Sequence, residues 1–144
     1  MDTQDCWLPA KQYAHLIDRR NYASLSEIFT PDARLVVGAN DQGATPVFEF
    51  EGTEAIVNAM SALDMYDSTF HQLGQQQILE YSAATLLTES YCTASHFYTQ
   101  DDQSCCYTLF IRYLDTLVND GGQWRFQARL LYLQGQQGVP AQHA

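Results

Sequence analysis

Two histidines stand twenty-five residues apart in this chain, His71 in STFHQLG and His96 in CTASHFYT, each inside a run rich in Thr, Tyr, Leu and Phe. Imidazole is the side chain that exchanges protons near neutral pH, so two rings on one sheet face would offer general acid–base chemistry. Asp18, in LIDRRNY, is the carboxylate that would complete the set. It follows Ile17 and lies four residues past Ala14, so it flanks the buried stripe of a helix. A carboxylate near a helix C-terminus is unfavourable by about 0.3–1 kcal/mol, a placement that suits a cationic or donating partner. Asp18 would then fix the tautomer of one ring and leave the other free as acid or base. The bland alternatives are a solvated helix charge and a satisfied pair of core histidines. Two histidines and a carboxylate also suit zinc or iron, and His15 with Asp18 is a further conceivable pair, but nothing in the spacing demands a metal.

These residues need elements to position them. Trp7, Ala10, Ala14 and Ile17 form one helical stripe, widened by Tyr13 and Leu16, which predicts a helix from Trp7 to about Arg20 with Pro9 in its first turn. A second short helix is expected from Tyr22 to Phe29, ended by Pro31. ARLVVGA reads as a short strand, GANDQGATP as a polar loop and VFEFEG as an edge strand. Thr53 is expected to cap a third helix carrying Ala55, Ile56, Ala59 and Leu63. Four long strands follow, at about 69–81, 85–98, 104–118 and 123–134, with turns at Ser82-Ala83, Asp101-Asp102 and Asn119-Asp120-Gly121-Gly122. Short turns make them antiparallel hairpins. In a regular hairpin the numbers of opposed residues have a constant sum, and 71 plus 96 centres the turn between 83 and 84. The two histidines are therefore expected directly opposite each other on one face. The tail GQQGVPAQHA reads as loose.

Helices first and a long antiparallel meander after give an α+β fold, a cone-shaped barrel with three helices packed on a curved sheet, in one domain spanning 1–144. Its mouth is where ligands bind. Other residues are candidates for holding a substrate. Tyr98 and Tyr113 could donate hydrogen bonds, Asp115 shares the strand parity of Tyr113, and Arg129, if inward, could polarise a carbonyl or hold a leaving group. Trp124 and Arg129 take opposite faces of an unbroken strand, so an inward Arg129 implies a bulge between them.

Composition narrows the partners. The formal charge of −10 disfavours nucleic acid and anionic membrane. The N-terminus lacks the apolar core of a signal peptide and no run approaches a membrane span, so a cytoplasmic location is expected. Cys6, Cys92, Cys105 and Cys106 form no CxxC pair and read as reduced thiols. No nucleophile with an adjacent base and no phosphate loop stands out.

LSEIFTPDARL, FEGTEAI, STFHQLGQQQI and IRYLDTLVNDGGQWRFQAR together resemble the SnoaL-like group of the nuclear transport factor 2-like superfamily, over about residues 10 to 134. That group includes polyketide cyclases, scytalone dehydratase, a dehydrochlorinase and ketosteroid isomerase-like proteins. The dehydratase pattern implies Asp18, His71 and His96 as catalytic residues, with the aspartate bonded to the second histidine, His96. Two positions that carry substrate-binding tyrosines in dehydratases hold Ile17 and Val37 here. The dehydrochlorinase pattern implies Asp18, His71 and Arg129. The resemblance implies a cofactor-independent lyase, isomerase or cyclase acting on a small apolar intermediate such as a polyketide or terpenoid, with no metal. A homodimer is expected, because the outer sheet face carries apolar surface to cover. A non-catalytic binding or assembly domain is the competing class.

Overall fold

The computed structural model describes residue 3 and residues 5–39 and 48–142. The polar loop expected at 38–46 lies, from residue 40 on, outside them. Helix α1 spans Leu8–Asp18 and buries Pro9, Ala10, Tyr13, Ala14 and Ile17, the expected stripe. Asp18 is its last residue. The second helix differs from expectation: Tyr22–Glu27 is a 3-10 turn. Strand β1, Phe29–Ala39, then starts ahead of Pro31 rather than after it. Pro31 is tolerated there because β1 meets its neighbour at Phe29 and again only from Arg34, so no ladder bond is lost at the proline.

Strand β2, Phe48–Glu51, pairs antiparallel with β1. Gly52 follows at φ 87°, a left-handed conformation that favours glycine, and it precedes the first residue of α2, Thr53–Ala59. Thr53 does not cap this helix. Its hydroxyl donates to the Thr30 carbonyl at 2.6 Å and ties the helix start to β1 instead. A 3-10 segment, Met60–Met65, prolongs α2. Strands β3 (Ser68–Tyr81), β4 (Thr85–Gln100), β5 (Gln103–Asp120) and β6 (Gln123–Gln137) complete the chain as antiparallel hairpins.

The sheet order is β2-β1-β6-β5-β4-β3, with β1 parallel to β6 and every other pair antiparallel. This is the expected α+β cone of helices against a curved sheet, with the sheet left open rather than closed into a barrel. Along β4 the even-numbered residues from Leu86 to Tyr98 are buried, while Tyr91 and Phe97 are exposed on the other face. One face of the sheet therefore belongs to the interior and one to the surface. Leu25, Ile28, Phe29, Leu35, Ile56, Leu86, Leu117 and Phe126 are almost completely buried between helices and sheet. Each such side chain contributes about 1.5–3 kcal/mol through burial. The expected bulge in β6 is present: Leu117 faces Phe126 and Thr116 faces Ala128, so Gln127 is the extra residue and Trp124, Phe126 and Arg129 all turn inward. Among the described residues no helix is long and apolar enough to cross a membrane, and all four cysteines are free.

Candidate functional site

The β3–β4 hairpin turns where expected, yet its histidines are not directly opposed. Near the tip Tyr81 faces Leu86, but two register shifts follow, one between Ile78 and Glu80 and one between Leu73 and Gln76. Each places one extra residue in β3. Beyond both, His71 faces Ala94 and Thr69 faces His96. One bulge would have put the rings on opposite faces; two restore the face and slide His96 two residues along it. The rings end as diagonal neighbours, centroids 6.3 Å apart and inclined at 70°.

Asp18 partners His71, not His96, and the expectation drawn from the dehydratase pattern is corrected here. Ring Nδ1 of His71 lies 2.7 Å from Asp18 Oδ1, the His71 backbone N–H donates to Oδ2 at 2.9 Å, and the Thr69 hydroxyl donates to Oδ1 at 2.9 Å. Burial pushes the Asp18 carboxyl up, but the His71 and Thr69 hydrogen bonds outweigh it and hold the group below its ordinary value. An ionised carboxylate only accepts, so Nδ1 of His71 carries a hydrogen, and in the neutral form of the ring Nε2 is the nitrogen with the lone pair. The side chain of His71 is 7% exposed and that of Asp18 22%.

His96 is fixed differently. Its Nδ1 lies 2.9 Å from the Tyr107 carbonyl, which likewise only accepts, so its neutral ring also presents Nε2 as an acceptor. Tyr66 packs on the ring at 4.9 Å between centroids. Burial lowers the His96 pKa; the Tyr107 carbonyl opposes this and the neighbouring His71 adds to it. His96 is thus a neutral acceptor rather than an acid.

Both rings border a cavity of about 290 Å³ between the helices and the inner sheet face. That is near the small end of ligand pockets. Its walls are mainly apolar: Leu35, Val37, Met60, Leu63, Ile111 and Leu131 among them, with Phe48 and Phe50 stacked beside it. Ile17 and Val37, which stand where dehydratases carry tyrosines, both line it. Among the described lining residues none is Lys, Arg, Asp or Glu; the polar groups are His71, His96, Tyr13 and Tyr113. Asp18 lies behind His71, where the two also border an open surface depression with Lys11 and His15.

The other candidates divide. Tyr113 lines the cavity. Tyr98 does not; its hydroxyl donates to the Val139 carbonyl at 2.6 Å and holds the chain beyond β6. Arg129 and Asp115 turn inward but do not reach the cavity. They form an ion pair at 3.1 Å, with side chains 0% and 2% exposed. The guanidinium carbon sits 3.5 Å from the Tyr113 ring centre, 4.2 Å from Tyr13 and 4.6 Å from Phe126, so three rings fill the space a substrate would need. Burial pushes the Asp115 carboxyl up to about 6 against the pull of Arg129. Sequence reasoning assigned Tyr13 only to a helix stripe, although its position four residues before Ile17 already put it on the cavity side. Among the described residues no group of three or more His, Cys, Asp and Glu is arranged to hold a metal ion.

Comparison with known proteins supplies the lineage. The described fold is similar to a scytalone dehydratase candidate from Novosphingobium aromaticivorans, at TM-score 0.78 and 22% identity over 94% of this chain and 86% of that one. It is similar to a type 2 hexachlorocyclohexane dehydrochlorinase, LinA, at 0.75 and 15% over 94% and 87%. It is also similar to the β subunit of a candidate aromatic-ring-hydroxylating dioxygenase from N. aromaticivorans, at 0.72 and 18% over 88% and 85%. At these identities the likeness is one of fold. No curated protein matches the chain in sequence. The SnoaL-like domain matches residues 9–130, most of the chain, and the protein belongs to the SnoaL-like family.

Proposed function

We propose that this protein is a cofactor-independent lyase, isomerase or cyclase that moves a proton on a small apolar molecule, such as a polyketide or terpenoid intermediate. The observation that carries the proposal is the Asp18–His71 pair, with His71 Nε2 presented as a base to an apolar cavity and a second, neutral imidazole beside it. Nε2 of His71 takes a proton from substrate carbon. The imidazolium so formed is stabilised by the Asp18 carboxylate, then returns the proton to a leaving oxygen or to another carbon. A charge-assisted hydrogen bond of this type contributes about 1.5–3 kcal/mol. His96 accepts a hydrogen bond from a substrate hydroxyl or a water through Nε2, which orients the reacting atoms. The apolar walls keep other proton donors away and raise the strength of each electrostatic contact. Similarity to a scytalone dehydratase candidate and to a dehydrochlorinase supports elimination chemistry.

The test uses a bicyclic β-hydroxy ketone, 3-hydroxy-1-tetralone, whose dehydration gives 1-naphthol and a large fluorescence change. Wild-type protein is expected to accelerate the reaction, and His71→Ala to lower kcat by about 10²–10⁴ with little change in melting temperature. A folded His71→Ala protein with undiminished activity would show that the base lies elsewhere. The surface reading of the competing class, a binding or assembly domain, gains nothing from an aspartate-fixed histidine in the pocket.

A further inference from the structure

Helix α1 ends in a turn that favours glycine and carries Arg20 instead. The Arg20 N–H donates to the Ile17 carbonyl at 3.0 Å and the Asn21 N–H to the Leu16 carbonyl at 2.9 Å, the paired bonds that close a helix through a left-handed residue. That residue is Arg20, at φ 58°. A side chain other than glycine is strained there, and such strain points to a task for the side chain. The guanidinium shows the task. Its Nη2 donates to the backbone carbonyls of Tyr66 and Asp67, the second at 3.0 Å. Two hydrogens fixed in the guanidinium plane suit two successive carbonyls. The ion pair with Asp64, 3.6 Å long between side chains 39% and 53% exposed, is too open to be the reason for an arginine.

We propose that Arg20 is a positioning residue that locks the segment carrying Tyr66 to the end of α1 and so keeps His96 covered and in place beside His71. The two imidazoles rest on different supports. Asp18, the last residue of α1, holds His71, whereas Tyr66 packs on His96 at 4.9 Å between centroids. Arg20 stands two residues past Asp18 and grips the backbone of Tyr66, so it joins the two supports directly. The same segment carries Met60, Ala62 and Leu63, which line the cavity. On its far side β4 holds it, through the Asp67 N–H on the Phe97 carbonyl at 2.7 Å and the Thr99 hydroxyl on Asp67 at 3.0 Å. On the helix side Tyr22 adds a bond to the exposed Asp64 at 2.9 Å. Without the Arg20 guanidinium the segment hinges on β4, lifts from α1 and takes Tyr66 off the His96 ring. Water then reaches an imidazole that is 5% exposed, and the burial that keeps its pKa below the ordinary value is relieved. The other groups facing His96 are His71 from β3, Asp18 from α1, the Ala94 backbone of its own strand and Tyr107 from β5, none of which Arg20 holds.

This inference rests on His96 serving the proposed reaction, and titration of the ring, which needs no substrate, keeps the two apart. The His96 carbon resonance is followed against pH in wild type, Arg20→Gly and Arg20→Met, with His96→Gln to assign it. Arg20→Gly relieves the left-handed backbone as it removes the guanidinium, so its melting temperature is expected to change little. Arg20→Met keeps the strained backbone and loses the same bonds. In both variants the His96 midpoint is expected to move up toward the ordinary histidine value, and kcat in the 1-naphthol assay to fall about ten- to a hundredfold through misplacement of the ring. An unmoved midpoint in folded Arg20→Gly would overturn the role of Arg20 and leave the His71 assignment untouched. A shift in Arg20→Met alone would trace the effect to the backbone and overturn it equally. Should Arg20→Met fail to fold, Arg20→Gly decides by itself. The shift in both variants, beside a wild type without activity in the assay, would support Arg20 and count against the proposed reaction.

Discussion

Replacing Asp18 by Asn changes one atom and reaches the reaction through the tautomer of His71. Three donors converge on the carboxylate: His71 Nδ1–H and the Thr69 hydroxyl on Oδ1, and the His71 backbone N–H on Oδ2. An amide offers one oxygen. If that oxygen takes the Oδ2 place, the amide N–H points at Nδ1, which must become an acceptor, and the ring hydrogen moves to Nε2. The base facing the cavity is then gone. If the oxygen takes the Oδ1 place, the amide N–H opposes the backbone N–H of His71, at a cost of about 1–3 kcal/mol for an unpaired buried donor. The first arrangement avoids that clash and is expected to dominate. Loss of the correct tautomer together with the counter-charge is expected to lower kcat by about 10³–10⁴. Long-range 1H–15N spectra of the imidazole nitrogens read the tautomer directly, beside the 1-naphthol assay. A variant that keeps Nδ1 protonated and loses less than about tenfold in kcat would refute the reasoning.

Further outcomes follow from the same geometry. The lowered His96 pKa means that the unfolded chain binds a proton where the folded one does not, so its contribution to stability is present above the ordinary histidine value and is lost as pH falls. Urea unfolding of wild type against His96→Gln should show a difference that shrinks from about pH 7 to about pH 5; a constant difference would contradict it. Asp115→Ala or Arg129→Met alone should cost about 3–5 kcal/mol by stranding a buried charge, while the double variant costs much less than the sum; additivity in that cycle would deny the pairing. The raised Asp115 pKa acts in the other sense: its stabilising contribution is complete below the ordinary carboxyl range and is lost as pH rises through about 6. We propose a homodimer through the outer sheet face, where Phe70, Tyr91, Phe97 and Phe110 are exposed. Light scattering should give twice the chain mass for wild type and the chain mass for Phe97→Asp/Phe110→Asp; a monomeric wild type would exclude it.

The strands were legible because runs rich in Thr, Tyr, Leu and Phe are bounded by turn residues. The alternation of faces along β4 from Thr85 to Tyr98 shows in burial rather than in residue type, since Thr88 and Ser90 are buried while Tyr91 and Phe97 are exposed. The register within the β3–β4 hairpin was not legible. Constant-sum arithmetic assumes an unbroken ladder, and β3 holds two extra residues. Gly74 was a signal for one of them, since a glycine inside a strand often marks a bulge, and it sits in the shift between Leu73 and Gln76. The same logic did succeed in β6, where the parity conflict between Trp124 and Arg129 foretold a bulge. What parity could not reveal is depth. Arg129 and Asp115 point inward, as counted, but they stop beneath the Tyr13–Tyr113 wall, where three aromatic rings enclose the guanidinium before it reaches the cavity. The second helix was misread because apolar spacing alone does not separate a six-residue 3-10 turn from a short α-helix.

The two bulges also decide which histidine suits the proposed role of base. With an unbroken ladder, His71 and His96 would sit side by side. The observed shift moves His96 two residues along, under Tyr66 and onto the Tyr107 carbonyl, where a backbone dipole fixes its tautomer but supplies no full negative charge. His71 is left beside the end of α1, where Asp18 closes on both its ring and its backbone. An acid at a helix C-terminus is unfavourable on its own. Here that cost falls on a carboxylate that three donors hold ionised, and both the carboxylate and the negative end of the helix favour the positive charge that His71 gains on taking a proton. Of the two imidazoles, then, only His71 has a built-in counter-charge for its protonated form, and His96 has a reason to stay neutral.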